Sequence, residues 1–232
     1  MNLLIKLILF LVLLLMIYWF IPYFLTRILS IGVIKQKRHS AKLAFTFDDG
    51  PNPIYTPQLL NLLKLNHIKA TFFVVGYKAE QYPELIERMH AEGHLIGLHN
   101  YVHKSNWLLD PWTIRCHLEK SASMIEKITG ERPIYYRPPW GLMNVFDFFL
   151  LTRYKIVLWS VMADDWRSRG GSEKIKKRLL DNIKNGSVIL LHDCGKTFGA
   201  DEDAPTYTIQ ALKEVFREIS NTELDCVRID EL

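Results

Sequence analysis

Apolar and polar positions divide the chain into two different patterns. Residues 7–26 form an uncharged run, LILFLVLLLMIYWFIPYFLT, which no polar face interrupts. From residue 43 onward, short apolar runs alternate about seven times with amphipathic stretches of helical spacing. A long run without a polar face is typical of a helix in lipid, whereas the alternation is typical of strands and helices that share a core.

The N-terminal run has the length of a membrane-spanning helix. Twenty residues in an α-helix rise about 30 Å, the thickness of a bilayer hydrocarbon core. Tyr18, Trp19 and Tyr23 lie toward its C-terminal end, as interfacial aromatic residues do. A cleaved signal peptide usually has about 7–15 apolar residues followed by small ones, and the residues after this run lack that pattern. We therefore predict an uncleaved anchor in residues 1–34, with its span at about 7–26.

The alternating part predicts strands covered by helices. Thr56 and Ser172 are predicted N-caps, and Gly130 marks the end of the longest helix. Near-continuous apolar strands between helices are typical of a buried, mostly parallel sheet, and a barrel and an open sheet both fit. The predicted strands are 43–47, 70–75, 94–99, 134–137, 156–161, 187–192 and 226–229. The predicted helices are 56–66, 79–92, 111–129, 172–184 and 206–220.

Composition and charge narrow the possible classes of protein. With 49% apolar and 23% charged residues among 232, the chain is neither disordered, nor collagen-like, nor a multi-span membrane protein. Before Lys35 the only charged side chains are Lys6 and Arg27, and the remainder has 27 bases and 25 acids. That balance argues against nucleic-acid binding, which usually needs a strongly basic domain. We predict a basic linker over 35–42 and one domain over 43–232.

Polar side chains follow most predicted strands at their C-terminal ends, the edge that holds the active site in barrels and open α/β sheets. The spacing of His99 and His103 brings two imidazoles together, and a carboxylate from another strand would complete a metal site with open positions. Such a set also serves iron oxygenases, so it does not fix the metal. A turn at Gly50-Pro51 would let one neighbouring carboxylate bind metal while the other acts as a base. The polar residues after the strands are Asp48, Asp49, His99, His103, Arg137, Asp165 and His192.

Five ordered segments carry these residues: TFDDGP (46–51), HNYVH (99–103), RPPWG (137–141), DW (165–166) and LLH (190–192). In this order they resemble the motifs of the polysaccharide deacetylases, the NodB-homology domain of carbohydrate esterase family 4. The resemblance covers about residues 41–230 and implies a barrel with fewer strands than a full TIM barrel. We therefore predict an α/β fold, a distorted (β/α) barrel of about seven strands preceded by one transmembrane helix.

The resemblance implies a hydrolytic metal site. Asp49, His99 and His103 are the implied ligands of a divalent metal, usually zinc, which lowers the pKa of a bound water and polarises an acetamide carbonyl. Asp48 is the implied general base that takes a proton from that water. His192 is the implied general acid that protonates the leaving amine.

The other motif residues are implied to position these groups or to bind a sugar. Arg137 would pair with Asp48 and position it, and Asp165 would hold His192 charged and oriented. The backbone N–H of Trp140 would stabilise the oxyanion. The implied substrate-binding residues are Trp140, Trp166, Leu190 and Pro139.

Three positions depart from the usual motifs. Asn100 replaces a hydroxyl residue, and we expect it to preserve the loop because asparagine also caps turns. Met162 stands where the family usually has a first aspartate, and Asp164 is a possible substitute that need not point the same way. Trp140 stands where tyrosine is common, a change that bears on substrate range.

These implications predict a metal-dependent N-deacetylase that releases acetate from N-acetylglucosamine units of a glycan. Peptidoglycan is the first expected substrate and chitin-type oligomers the second. The alternative is a catalytically silent glycan-binding relative, which would usually lack the base, a ligand or the acid. An iron oxygenase has no evident need for such a base and acid. The expected partners are the N-acetylated glycan and the membrane, without nucleic acid, and no protein partner can be inferred.

The expected substrate and the distribution of basic residues predict opposite sides of the membrane for the domain. Wall glycan lies outside the cell membrane, so the expected function predicts a single-pass protein with an extracytoplasmic domain. The positive-inside rule alone places the domain in the cytoplasm, because only Lys6 and the amino terminus precede the span. The basic residues that follow the span are Arg27, Lys35, Lys37, Arg38 and Lys42.

Overall fold

The alternating segments fold into a curved parallel sheet covered by helices, as a computed structural model describes for residues 2–37 and 40–232. Arg38 and His39 of the predicted linker lie outside the described residues. The strands are β1 (Val33–Ile34), β2 (Lys42–Asp48), β3 (Thr71–Val74), β4 (Leu95–Leu98), β5 (Tyr135–Tyr136), β6 (Lys155–Val157), β7 (Val161–Met162), β8 (Val188–His192) and β9 (Asp225–Cys226). The helices are α1 (Leu3–Ile28), α2 (Tyr55–Leu65), α3 (Gly76–Gln81), α4 (Pro83–Ala91), α5 (Pro111–Thr129), α6 (Gly171–Asn182) and α7 (Ala204–Ile219).

The strands are arranged in the order β1-β6-β5-β4-β3-β2-β8-β7, with β9 beside β2, and the paired strands run parallel. The two ends of this order lie close together. Leu158 N donates to Ile34 O at one end, and Ser160 N donates to Val188 O at the other. Gln36 also forms an antiparallel bridge with Ser187. The sheet therefore curls into the predicted distorted barrel.

The described sheet has nine strands, whereas the sequence predicted about seven. The predicted strand 156–161 is two strands, because the chain crosses there from one end of the sheet to the other. The other additional strand is β1, which pairs with β6. Since β1 lies in the range predicted as anchor and Lys37 N donates to Gly186 O, residues 33–37 belong to the barrel.

Two predicted helix caps and one predicted helix differ from the structure. Helix α2 begins at Tyr55, because the Asn52 side chain accepts from Ile54 N and Tyr55 N, so Thr56 is not the N-cap. Helix α6 is preceded by Gly170 in the left-handed conformation (φ 95°) and not capped by Ser172. The predicted helix 79–92 is two helices, α3 and α4, which are separated at Tyr82. The helical conformation is unfavourable for Tyr82 because Pro83 follows it.

The two faces of β2 divide the core from the site. Phe45 and Phe47 are buried toward the helices, and the ring of Phe45 lies edge-on to Phe216 of α7 at 5.0 Å. Ala44 packs in the separate cluster inside the barrel. Because side chains alternate along a strand, Thr46 and Asp48 share that interior face. The strand therefore delivers a carboxylate to the interior at its C-terminal end.

Candidate active site

Arg137 links the first and third motifs inside the barrel. Its Nη1 donates to Thr46 Oγ1 at 2.8 Å and to Asp48 Oδ1 at 2.7 Å, the two interior positions of β2. Its Nε and Nη2 donate to the carbonyl oxygens of Val157 and Leu158 at 3.2 and 3.1 Å. The guanidinium is fully buried. Four hydrogen bonds and a carboxylate partner make this burial possible, and they fix the position of Asp48.

Asp49 turns in a different direction from its neighbour. Its backbone has a φ of 74°, in the left-handed region that few residues other than glycine adopt. This conformation directs the carboxylate toward the second motif, where Asp49 Oδ1 lies 3.3 Å from His99 Nε2 and 3.2 Å from His103 Nε2. The three potential ligand atoms lie within 4.8 Å of one another. The structure therefore brings together the three predicted ligands.

The donor chemistry of these residues fits a divalent cation. His99 Nδ1 lies 2.6 Å from the Arg137 carbonyl oxygen, so Nδ1–H donates there and the Nε2 lone pair faces Asp49. Asp49 Oδ1 is buried without a hydrogen-bond partner. Burial lowers the pKa of His103 and favours the neutral form that binds metals.

The buried Asp165 and the partly exposed His192 form a pair near the three predicted metal ligands. One oxygen of Asp165 lies 2.9 Å from His192 Nδ1, and the other accepts from the backbone N–H of His192 at 2.8 Å. Thr208 of α7 donates a third hydrogen bond at 3.2 Å. Burial lowers the pKa of His192, but the Asp165 carboxylate outweighs it and raises that pKa to about 10. The imidazole is therefore protonated at neutral pH.

An open cleft of about 770 Å³ lies over these groups. We call this feature the catalytic cleft, and its exposed apolar edge the cleft rim. Leu190 and Trp166 line the cleft as predicted, and the Trp166 ring lies edge-on to His192 at 5.7 Å. Pro139 is the first residue of the short helical turn Pro139–Gly141 and is buried. It is not among the residues that line the cleft, so its part is to shape the turn. The exposed apolar residues of the cleft rim are Leu108, Trp140, Met162 and Phe198, and the half-buried Leu142 and Trp159 lie beside them.

Trp140 connects the cleft rim to the N-terminal helix. It has a φ of 56°, and its ring lies edge-on to His103 with 4.3 Å between centroids. Its carbonyl oxygen accepts a 3.0 Å hydrogen bond from Arg27 Nη2, near the end of α1. The Arg27 guanidinium also lies 3.8 Å from the centre of the Trp159 ring. A Cβ at Gly141 would meet Arg27 Nη2 at 2.4 Å, so this contact requires the motif glycine.

The departures from the usual motifs have different structural consequences. Asn100 is fully buried, donates to Asn106 Oδ1 at 2.9 Å, and accepts from the Tyr136 hydroxyl at 2.9 Å. It preserves the loop, as expected. Met162 is exposed in the cleft rim, where it leaves an apolar surface. Asp164 pairs with Arg178 on α6 and therefore does not replace the missing carboxylate.

A buried polar cluster lies behind Asp49, and the sequence did not predict that Lys78 and Thr56 belong to it. Lys78 Nζ donates to the Asp49 carbonyl oxygen at 2.7 Å and to Cys194 Sγ at 3.1 Å. Thr56 donates to the buried carboxylate of Asp193. Burial raises the pKa of Asp193 to about 6. Lys78 lies in an amphipathic stretch that has the appearance of a surface helix, and its separation of 29 residues from Asp49 gives no local signal.

Comparison with known proteins agrees with this geometry. Residues 35–146 match the polysaccharide deacetylase family. Two relatives are peptidoglycan-N-acetylglucosamine deacetylases of Bacillus cereus. One is 36% identical over 66% of this chain and 56% of its own length. The other is 35% identical over 82% of this chain and 87% of its own length. The chain thus spans little more than half of the first relative and most of the second.

The fold of this chain is also similar to that of a solved structure. It is a crystal structure of a peptidoglycan N-acetylglucosamine deacetylase in complex with 4-naphthalen-1-yl-N-oxidanyl-benzamide. The match has a TM-score of 0.80 at 28% identity and covers 89% of this chain and 94% of that one. The predicted α/β barrel is therefore confirmed.

Proposed function

The chain belongs to the polysaccharide deacetylase family, and from this premise we propose that it hydrolyses the acetamide of N-acetylated amino sugars in a glycan. The products are acetate and a free amine. The observation that carries this proposal is the set of groups around one cleft: a carboxylate with one oxygen not bound by Arg137, three converging residues that could hold a metal ion, and an imidazole paired with a carboxylate. A silent relative would need none of these to remain together.

We propose zinc as the metal, held by Asp49, His99 and His103, because two imidazoles and a carboxylate are usual zinc donors in catalytic sites. When bound, the metal would polarise the acetamide carbonyl and lower the pKa of a water molecule. The hydrogen bond from His99 Nδ1–H to the Arg137 carbonyl oxygen orients one ligand from behind.

The protein's own groups would move the protons. Asp48 has one oxygen committed to Arg137 and a second, Oδ2, 3.9 Å from His99 Nε2, which would accept the proton of the attacking water. The C–N bond breaks as the protonated His192 gives its proton to the leaving nitrogen. Asp165 keeps that imidazole charged and oriented. The backbone N–H of Trp140 would donate to the oxyanion.

Peptidoglycan is the proposed substrate and chitin-type oligomers are the second choice. The names of the relatives support the first. The cleft offers aromatic faces at Trp140 and Trp166 for stacking on sugar rings.

We further propose that α1 anchors the protein in the cell membrane. Its most apolar 18-residue window has a mean hydropathy of 2.8 and no residue buried in the fold, so its length and composition suit a membrane span. A signal sequence near the N-terminus has the same properties. The contact of Arg27 with Trp140 supports an uncleaved helix, because cleavage before the barrel would remove it. A domain outside the cell would meet wall glycan, and protease accessibility on intact cells tests that orientation.

Acetate release tests the proposed activity. The full chain, reconstituted after chelation with zinc or with other divalent metals, is assayed on peptidoglycan, N-acetylglucosamine oligomers and poly-N-acetylglucosamine. Release from at least one glycan with zinc is expected, together with loss of release on chelation. The absence of acetate from every glycan with every metal would overturn the proposed activity and favour the silent relative. Amino-sugar analysis of the product identifies which sugar has lost its acetyl group.

A further inference from the structure

The segment that begins helix α3 contacts both loops that carry the predicted metal ligands. We call residues 75–78 the bridging segment, and none of them belongs to the five motifs. Its backbone donates three hydrogen bonds of 2.9 to 3.0 Å, one to the first motif loop and two to the second. The bonded pairs are Val75 N with Gly50 O, Gly76 N with Asn100 O, and Tyr77 N with Tyr101 O. One short segment therefore holds both ligand loops.

The bridging segment is itself fixed in the core. Val75 directly follows β3 and is fully buried. A Cβ at Gly76 would lie 2.9 Å from the Cα of Tyr101, so this close approach requires glycine. Ala79, which is also fully buried, donates its backbone N–H to Val75 O at 3.0 Å and so begins α3. The two ligand loops are thus attached to a buried strand end and helix start.

The Lys78 side chain makes a fourth contact, with the backbone of a predicted ligand. Its Nζ donates to the Asp49 carbonyl oxygen at 2.7 Å and to Cys194 Sγ at 3.1 Å. Lys78 is only 5% exposed, and a buried amino group is costly unless it is hydrogen-bonded. These two acceptors therefore fix where the amino group lies.

Asp49 needs this support because of its backbone conformation. Its φ of 74° is unfavourable for a residue with a side chain and persists only where the surrounding structure holds it. Among residues 2–37 and 40–232, no donor other than Lys78 bonds the Asp49 carbonyl oxygen. The bond from Lys78 orients the peptide group next to the Asp49 Cα, and the direction of the carboxylate depends on that orientation.

We infer that Lys78 is a positioning residue of the proposed metal site. Its amino group holds the Asp49 backbone in the conformation that directs the carboxylate toward the imidazoles of His99 and His103. The backbone bonds of the bridging segment hold the histidine loop beside it. A ligand that is oriented from behind loses less freedom when the metal binds, so the contact raises metal affinity. The inference rests on the proposed metal-dependent deacetylase.

Zinc affinity, measured separately from activity, tests the inference. K78M keeps an apolar stem of similar length and removes the donor to Asp49. We expect the dissociation constant of the full metal-free chain for zinc, measured in detergent by competition with a chromophoric chelator, to rise about 10- to 100-fold in K78M. K78Q, whose amide nitrogen ends one bond short of the lysine nitrogen, gives the same test if K78M does not fold.

Three further variants serve as controls. C194A removes the sulfur acceptor of Lys78 but leaves the bond to Asp49, so it should keep the wild-type dissociation constant for zinc. I86V removes one methylene from the fully buried face of α4, so it should lower the midpoint of urea unfolding without weakening zinc binding. D49A removes a predicted ligand and should abolish zinc binding at this site.

The results distinguish failure of this inference from failure of the proposed metal site. A wild-type dissociation constant in the Lys78 variant, or an equal rise in C194A or I86V, overturns the positioning role and leaves the metal site intact. If D49A binds zinc as tightly as the wild type, Asp49 is not a ligand, and the proposed metal site itself fails.

Discussion

The catalytic cleft has an inner half and a rim that are stabilised in different ways. In the inner half, two buried charged groups are fully hydrogen-bonded: Arg137 makes four hydrogen bonds, and Asp165 accepts three. On the rim, Leu108 and Phe198 are mostly exposed apolar side chains. The comparison teaches that the charged groups proposed for the chemistry also stabilise the interior, whereas the rim leaves apolar side chains exposed.

The largest effect on stability is expected at the centre of the inner half. R137M leaves the buried carboxylate of Asp48 without its cationic partner, which should lower the free energy of unfolding by about 3–5 kcal/mol. R153M removes an exposed pair with Glu119 and should cost about 0–1 kcal/mol. Urea unfolding of both proteins in chelator and detergent measures the difference. Equal losses in the free energy of unfolding for R137M and R153M would contradict the claim that the buried charge pair stabilises the fold more than a surface pair does.

The next largest effect is expected on the pH dependence of kcat, through His192, the proposed general acid. D165N removes the carboxylate that raises the pKa of His192 to about 10, so that pKa should fall toward its ordinary value of 6.5. Because the acid must be protonated, the alkaline limb of the pH–rate profile should move to lower pH, and kcat should fall about 30-fold at pH 8, where a group of pKa 6.5 is about 3% protonated. Acetate release between pH 5 and 10 measures both. An unmoved alkaline limb would show that His192 is not the acid.

A smaller effect on kcat/KM is expected when the contact between Arg27 and the cleft rim is removed. R27A removes a charge-assisted hydrogen bond to Trp140 and the contact with the Trp159 ring, and kcat/KM for soluble oligomers should fall about tenfold. K6A, at the other end of α1, serves as the control and should retain wild-type kcat/KM. A wild-type rate in R27A would mean that the helix end does not position the rim.

The inner half could be predicted because its residues follow strands in ordered motifs. Parallel strands bring their C-terminal ends to one edge, so Asp48, His99, Arg137 and His192 had to converge. Their orientations could not be predicted in the same way. Asp49 adopts a positive φ, as do Asn100, Trp140 and Asp164 in the other motif loops. No local signal in the sequence distinguishes such residues from ordinary loop positions.

The contact between Arg27 and the rim, and the start of the domain at β1, could not be predicted from the sequence. Arg27 and Trp140 are 113 residues apart, and an arginine after an apolar run is equally typical of a membrane flank. The two residues of β1 are too few to give a period-two pattern. Thr56 was predicted as an N-cap from its local sequence, but its hydroxyl bonds Asp193 instead, a contact that only the fold creates.

The central claim is that the inner half of the cleft hydrolyses an acetamide, and acetate release by D48N tests it most directly. The zinc-loaded full chain is compared with this variant and with D181N, an exposed control, on soluble N-acetylglucosamine oligomers. The account predicts a loss of about 100- to 10,000-fold in D48N only, with zinc binding retained. A wild-type rate in D48N would contradict the account.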